Sequence, residues 1–551
     1  MLLDKEKHMD YNKLAELLFP QIDKTPEDYE AMYPPREEGK VITRLGPSPT
    51  GFIHLGNLYG AFVDERLAHQ DGGTFYLRIE DTDDKRYVEG AVETIINSLK
   101  FFDISFDEGA SFGGDYGPYY QSERGPIYQA FVKRLVSQGK AYPCFLTEEE
   151  LTEIRAQQEA AKETTGIYGK YAEKNRNLSY EEIETNIAAG KPYVIRLKSE
   201  GDGVAYIHVE DAIRGDVSMP CNNQDVVILK ANGIPTYHFA HVIDDHLMRT
   251  THVVRGEEWL MSLPIHVELF EALGFQLPTY CHTAVLMKLD DETGNKRKLS
   301  KRKDPELSLD YYRQEGYHPQ AVKEYLLTIL NSNFEEWRME NPDADIDEFQ
   351  FTTEKMSSAG ALFDLNKLND ISKDVLLRIP AGELADFRLE WAKEFKPKAA
   401  HLLEDKEYLT KILNIGRDDA KPRKDLIYAK QIFDFISYFY DDYFLIEERI
   451  PEQVSDEDAK EILKRYLETY DHSDDQSQWF EKIRTITADM GYAVKPKDYK
   501  KHPEEYKGSV AHVSTVIRIA VMGRSQSPDV WTIQQILGED RVRARISELI
   551  G

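Results

Sequence analysis

Residues 41–57, Val41-Ile42-Thr43-Arg44-Leu45-Gly46-Pro47-Ser48-Pro49-Thr50-Gly51-Phe52-Ile53-His54-Leu55-Gly56-Asn57, decide the fold. Val41 to Arg44 is a short β-branched run of strand character. Pro47, Pro49 and Gly51 stiffen and sharpen the turn that follows, and Gly56 stands at a helix start, where backbone can approach a ligand closely. Leu58 to His69 carries helical period, and Phe75-Tyr76-Leu77-Arg78-Ile79 reads as a second strand ending in Glu80-Asp81-Thr82-Asp83-Asp84. Strand, crossover helix, strand is the unit of a parallel sheet, whose ligand site lies at the carboxyl ends of the strands. The turn and Glu80 both fall at that end, in one crevice.

A second stretch, Lys298-Leu299-Ser300-Lys301-Arg302, lies far downstream but belongs to the same chemistry. Six of the eight residues from Lys296 to Lys303 are basic, which suits a loop that grasps a polyphosphate. His54 can set a proton-bearing nitrogen against charge developing on an α-phosphorus, and a pentavalent phosphorus needs such fixed donors. Together the two stretches point to a nucleoside triphosphate.

At 551 residues the chain exceeds what one core usually serves. Apolar residues make up 41% and charged residues 30%, the balance of a folded soluble protein. No apolar run approaches the ~20 residues that span a bilayer, and Asp4, Glu6 and Asp10 break any apolar signal core. A cytoplasmic protein with no membrane partner is expected. Cys144, Cys221 and Cys281 are odd in number and widely spaced, so they are read as reduced and structural. The net charge of -29 argues, as an average, against nucleic acid. A polyanion feels the local patch, however, and a second basic cluster stands at Lys495, Lys497, Lys500 and Lys501.

Residues 1–40 read as an extension, with an amphipathic helix at Tyr11 to Leu18 and a proline-bearing approach, Tyr33-Pro34-Pro35-Arg36. From Ala141 to Asn223 polar helices (Thr147 to Glu163, Ser179 to Ala189) alternate with short strands such as Tyr193 to Leu197, the pattern of an insertion between two halves of the sheet. Apolar strands resume at Val226 to Leu229 and Thr251 to Arg255, with Tyr237 to Ile243 between them, and after Leu309 the chain is largely helical. Acidic stretches at Asp343 to Glu348 and Glu447 to Glu461 are plausible boundaries. His238, His241, Asp244, Asp245 and His246 could suggest a metal site, but on a strand and turn their side chains would diverge, and no metal is expected there. The aromatic run Tyr428, Phe433, Phe435, Tyr438, Phe439, Tyr440, Tyr443, Phe444 has the helical spacing of core.

Three strings, Pro47 to Gly56 after a strand, Phe75 to Asp83 after the next helix, and Lys298 to Arg302, resemble the class I aminoacyl-tRNA synthetases, and among them the bacterial-type glutamyl-tRNA synthetases. Gly117 to Arg124, Gly233 to Tyr237, Asp244-Asp245-His246, Arg255 to Trp259 and the stretch from His512 to Ile550 follow in the family's order. The resemblance is close over 41–335 and looser beyond. It implies an α/β fold: a Rossmann-type parallel-sheet catalytic domain with an inserted α+β connective domain, then a helical stem-contact region and an all-helical anticodon-binding region. The implied segments are 1–40 (extension), 41–140 and 226–303 (catalytic halves), 141–225 (acceptor-binding insertion), 304–360 (stem contact) and 361–551 (anticodon).

The implied activity is ATP-dependent activation of L-glutamate and its transfer to the 3′-terminal adenosine of tRNA(Glu), a carbon–oxygen ligation. Carried over by position, Arg44, Gly46, Ser48, Glu80, Tyr237, His241 and Arg255 would bind glutamate, Glu80 taking the ammonium. His54, Gly56, Asn57, Glu258, Lys298, Leu299, Ser300, Lys301 and Arg302 would bind ATP, with His54, Lys298, Ser300 and Lys301 acting in catalysis and Mg2+ accompanying ATP. Three positions depart from the pattern. Asn57 replaces the second histidine of the usual tetrad, His241 stands where asparagine is common, and Ala141 to Thr147 keeps one cysteine of a zinc-binding pair, so no structural zinc is expected. A monomer is expected, and tRNA(Gln) stays open as a second acceptor. Glutaminyl-tRNA synthetase, the nearest rival, would carry a β-barrel anticodon region where residues 360–551 read as helices. A nucleotidylyltransferase would be smaller and lack the glutamate set.

Overall fold

The computed structural model describes residues 9–50, 53–83, 88–290 and 292–551. Gly51, Phe52, Asp84, Asp4 and Glu6 of the strings above lie outside the described residues. The chain divides into two units, one running to Leu309 and including Lys323–Asp364, the other made of Asp310–Val322 and Leu365–Gly551.

The first unit opens with α1 (Tyr11–Leu18) and α2 (Pro26–Met32). Thr25 starts α2 by a reciprocal cap: its hydroxyl accepts from the Asp28 N–H and the Asp28 carboxylate accepts from the Thr25 N–H. The two β-branched runs then form β1 (Ile42–Leu45) and β2 (Thr74–Leu77), parallel and in register from Ile42 opposite Thr74 to Leu45 opposite Leu77. Between them α3 (Leu55–His69) is buried on nearly every side from Leu58 onward, as a crossover helix packed against its sheet should be. α4 (Ala91–Phe101) leads to β3 (Glu108–Gly109), which pairs with β2, and α5 (Gly125–Ser137) follows.

The expected insertion, 141–225, spans β4 (Ala141–Cys144), α6 (Glu148–Ala161), α7 (Lys170–Arg176), α8 (Tyr180–Ala188), β5 (Val194–Leu197), β6 (Tyr206–Asp211) and β7 (Gly215–Pro220), and β8 (Val227–Leu229) follows it. Strand pairing crosses its expected limits both ways. β8 pairs with β5, and the β6–β7 hairpin joins β10. The chain returns through α9 (Tyr237–Leu247), β9 (His252–Gly256), α10 (Leu263–Leu273), β10 (Thr279–Thr283), β11 (Leu286–Leu289) and β12 (Lys296–Lys298). β9 and β10 are parallel, and the Thr251 N–H donates to Ile42 O at 3.0 Å, laying β9 beside β1. The order β3-β2-β1-β9-β10 reverses its winding between β1 and β9, the crevice where open α/β sheets bind ligands.

Residues 237–243, expected within a run of strands, instead begin α9. Thr236 holds extended backbone at its N-cap, and Phe239, Ala240, Val242, Ile243 and Leu247 are all buried. Two adjacent β-branched residues were too short a run to tell strand from buried helix. On this helix His241 and Asp245 stand one turn apart, on one face and not diverging.

α11 (Leu309–Glu315) and α12 (Pro319–Leu330) fall across the division between units, and α13 (Phe334–Glu340) lies in the first. The second unit is helical: α14 (Leu365–Arg378), α15 (Ala381–Phe395), α16 (Lys406–Asn414), α17 (Ile432–Ile436), α18 (Asp456–Thr469), α19 (Gln476–Asp489), α20 (Pro496–Lys501), α21 (Val510–Met522), α22 (Val530–Leu537) and α23 (Glu539–Ile550). One core runs through it, from Leu384 and Leu409 to Ile517 and Ile546. The aromatic run is not one helix. It breaks after Ile436 into tight turns, with Tyr438 and Phe439 buried in that core and Tyr443 exposed. Residues 343–348 and 447–461 each fall inside a unit. Among the described residues no helix is long and apolar enough to cross a membrane.

Candidate active site

A cavity of about 640 Å³ opens at the carboxyl ends of β1 and β9, within the usual range for small-molecule sites. Arg44, Gly46, Ser48, His54, Gly56, Asn57, Glu80, Tyr237, Arg255, Glu258, Lys298 and Leu299 all line it. Residues up to 255 positions apart in sequence, Arg44 and Leu299, are thus brought together by the sheet order.

At one end, His54 is the N-cap of α3. Its Nδ1 accepts from the Asn57 N–H at 3.3 Å while Asn57 Oδ1 accepts from the His54 N–H at 3.0 Å. Asn57 therefore has a structural reason to stand in place of a histidine: it closes a capping box. With Nδ1 engaged as acceptor, the ring proton is assigned to Nε2. Burial, and then the nearby Lys298 ammonium, lower the His54 pKa and keep the ring neutral. Gly56 leaves room for that ring, since a Cβ there would lie 3.0 Å from it.

At the other end stands a buried network of charge. Arg44, 5% exposed, donates through Nε to Asp245 at 3.2 Å. Arg78 donates to Asp245 at 2.6 Å and to Glu80 at 3.0 Å. Burial disfavours the Asp245 charge, but Arg44 and Arg78 hold its pKa well below the usual carboxylate range. Glu80 goes the other way: burial raises it, and Arg78 and Arg44 only partly offset that. Its carboxylate fills the space beside Gly46, where a Cβ would meet Glu80 Oε1 at 2.5 Å.

Arg255 is gripped differently. Its Nε donates to His282 Nε2 at 2.9 Å, its Nη1 lies 3.0 Å from His266 Nδ1, and its guanidinium sits over the Tyr280 ring at 4.5 Å. His282 in turn holds Asp211 through Nδ1 at 2.6 Å. Burial lowers the pKa of both histidines, so each is a neutral acceptor toward the arginine. Nη2 of Arg255 is buried and has no hydrogen-bond partner. Tyr237 opens α9 against the Trp259 ring, centroids 4.3 Å apart.

Four expected residues stand outside the cavity wall. His241 is fully buried behind it, with Nδ1 2.6 Å from Asp245 Oδ2 and Nε2 3.1 Å from the Tyr280 hydroxyl. Burial drives its pKa down to about 3, so it supports the wall as a neutral ring. Ser300, Lys301 and Arg302 follow β12 in a turn, Lys301 and Arg302 exposed. The basic run is also less available than its count suggests. Arg297 is spent on Asp304, at 2.6 and 2.8 Å, and on Asp290.

The cavity also holds residues given no role from sequence. Asp64, on α3, is 1% exposed with Oδ1 unpartnered, and burial raises its pKa well above the usual range. An acid directly after the apolar run Ala61-Phe62-Val63 was the available signal. Lys230 reaches the cavity and donates to Thr82 O at 3.0 Å; a single lysine after a strand gave no signal.

The family described as tRNA synthetases class I (E and Q), catalytic domain, matches residues 40–370, and the anticodon binding domain family matches 383–550. The glutamate–tRNA ligase of Acetivibrio thermocellus is 63% identical, covering 98% of this chain and 100% of its own length. That of Clostridium perfringens is 50% identical over the same shares. The solved glutamate-tRNA synthetase of Elizabethkingia anophelis superposes with a TM-score of 0.73 at 30% identity, over 93% of this chain and 99% of that one. Catalytic and anticodon-binding regions in order, with relatives matched end to end, place this chain in the glutamyl-tRNA synthetase family of class I aminoacyl-tRNA synthetases.

Proposed function

We propose that the chain activates L-glutamate with ATP and transfers it to the 3′-terminal adenosine of tRNA(Glu), releasing AMP and pyrophosphate. One observation carries the reading. Arg44, Arg255 and Glu80 face the same cavity as His54, Gly56 and Lys298, so a carboxylate-reading end meets a phosphate-reading end. Glutamate presents two carboxylates and an ammonium. Glu80 takes the ammonium, while Arg44, Arg255 and Tyr237 read carboxylate oxygens, and a glutamine amide would leave buried donors unpaired. His241 acts through the wall by holding Asp245.

In the first step the α-carboxylate attacks the α-phosphorus, and the bond to the bridging oxygen breaks to release pyrophosphate. His54 donates through Nε2 toward the phosphoryl oxygens, Lys298 and Lys301 neutralise the leaving phosphates, and Ser300, Leu299 and Arg302 shape the loop that carries them. In the second step the terminal 2′ hydroxyl attacks the carbonyl carbon of the mixed anhydride, and AMP leaves. Magnesium enters on the triphosphate, neutralising its charge. Among the described residues, three side chains able to ligate a metal together occur only at His502, Glu504 and Glu505, exposed in the second unit.

For tRNA, the reading assigns the acceptor end to 141–225, stem contact to 304–360 and the anticodon to 361–551. A cavity of about 450 Å³ in the second unit, lined by Trp479, Phe480 and Arg518, supports a base-stacking role there. The cytoplasm is the proposed setting, and tRNA(Gln) remains a second acceptor to test. Pyrophosphate exchange with glutamate or glutamine, with and without tRNA, tests the reading. Exchange with glutamine alone, or none with any tRNA, would sink it. Lys301→Ala should lower kcat about tenfold or more with little change in the KM for glutamate.

A further inference from the structure

Residues ahead of the family match at position 40 have no part in the chemistry above, yet they touch what stands behind the glutamate end of the cavity. α1 and α2 bury Leu14, Leu18 and Tyr29, which fixes the segment in place. Three polar side chains then reach inward. The Glu30 carboxylate pairs with His246, in the last turn of α9, and with Arg249 just beyond it at 3.0 Å. Arg36 forms two bonds to Glu108, at 2.9 and 3.0 Å, and donates through Nε to Met248 O at 3.1 Å. The Tyr33 hydroxyl donates to Gly117 O and accepts from Arg124 Nη1, each at 3.1 Å.

Arg124 makes the link. Fully buried, it donates through Nε to Asp244 at 2.6 Å, and its Nη2 has no hydrogen-bond partner. Its remaining bonds at Nη1 are to Tyr33 and to Pro118 O. α9 is thus tied to the segment by its C-terminal turn and, through Arg124, by Asp244. The same helix carries Tyr237 at its start and Asp245, which holds Arg44 and, through Arg78, Glu80. A buried helix moves as a body, and reacting groups misplaced by about 1 Å lose activity steeply.

We infer that residues 26–36 form a clamp that sets α9 in place, and through it the presentation of Tyr237, Arg44 and Glu80 to the amino acid. Glu30 and Tyr33 are its positioning residues. The inference rests on reading this cavity end as the glutamate pocket. The test is steady-state aminoacylation by Glu30→Gln, Tyr33→Phe and the double variant, with glutamate and ATP varied separately and thermal melts recorded. Each single variant should raise the KM for glutamate about three- to tenfold, and the double variant further, with kcat within about twofold and the KM for ATP unchanged. Lower melting temperatures with an unchanged KM for glutamate would make the segment a plain brace and overturn the proposal. Should Tyr33→Phe not fold, Glu30→Gln carries the test alone. A wild-type protein that activates no glutamate overturns the pocket reading, and the clamp's role with it. A wild type that does, beside variants of unchanged KM, overturns the clamp alone.

Discussion

His54 caps α3 through Nδ1 and offers a proton through Nε2, so a replacement that keeps the cap and removes the ring separates folding from chemistry. Asparagine is a strong N-cap. His54→Asn should leave the melting temperature within a few degrees while lowering the rate of pyrophosphate exchange about 10²- to 10³-fold; parallel losses in both would contradict the assigned donor. Glu80 gives a pH test. Its pKa is raised chiefly by burial, so the protonated form persists to higher pH than for an ordinary glutamate, and only the ionised form attracts an ammonium. The KM for glutamate should therefore rise as pH falls through the Glu80 titration, and Glu80→Gln should raise that KM and flatten its pH dependence. Both residues were legible in sequence because their strings fix type and position. Asn57 was not. That it caps α3 follows from a bond to its own helix start, which no spacing rule reveals.

Among elements, the strand, turn, helix and strand from 41 to 80 were legible because proline and glycine punctuate them and the apolar period changes between them. α9 was misread because Val242 and Ile243 make too short a run to tell strand from helix, and the pairing of Asp245 was hidden because its partners Arg44 and Arg78 lie 201 and 167 positions away. Such a buried carboxylate between two guanidiniums is costly to break, on the order of 3–5 kcal/mol when one partner is removed. Asp245→Asn should lower stability by that order in denaturant melts and raise the KM for glutamate. A stable variant with normal KM would show that α9 does not hold the arginines. His241→Asn, which keeps a neutral hydrogen-bonding side chain, should be far milder in both measurements.

Across the molecule, a net charge of -29 opposes a polyanionic partner, so tRNA must be met by local cations. Lys495, Lys497, Lys500 and Lys501 border or lie on α20 without an ion pair to any described residue. If they meet phosphates, replacing all four with alanine should raise the KM for tRNA. The slope of log affinity against log salt should also shrink by about 0.7–0.9 per lost contact, with the KM for ATP unchanged. A slope equal to wild type would leave them a solvated face. The grip on Arg255 has a consequence for redesign. Its supports come from β6, α10 and β10, as Asp211, His266, Tyr280 and His282. Exchanging the arginine alone for a neutral side chain would strand two buried imidazole acceptors, at about 1–3 kcal/mol each. A new amino-acid preference would have to be written into two strands and a helix at once, which makes this pocket resistant to drift by single steps.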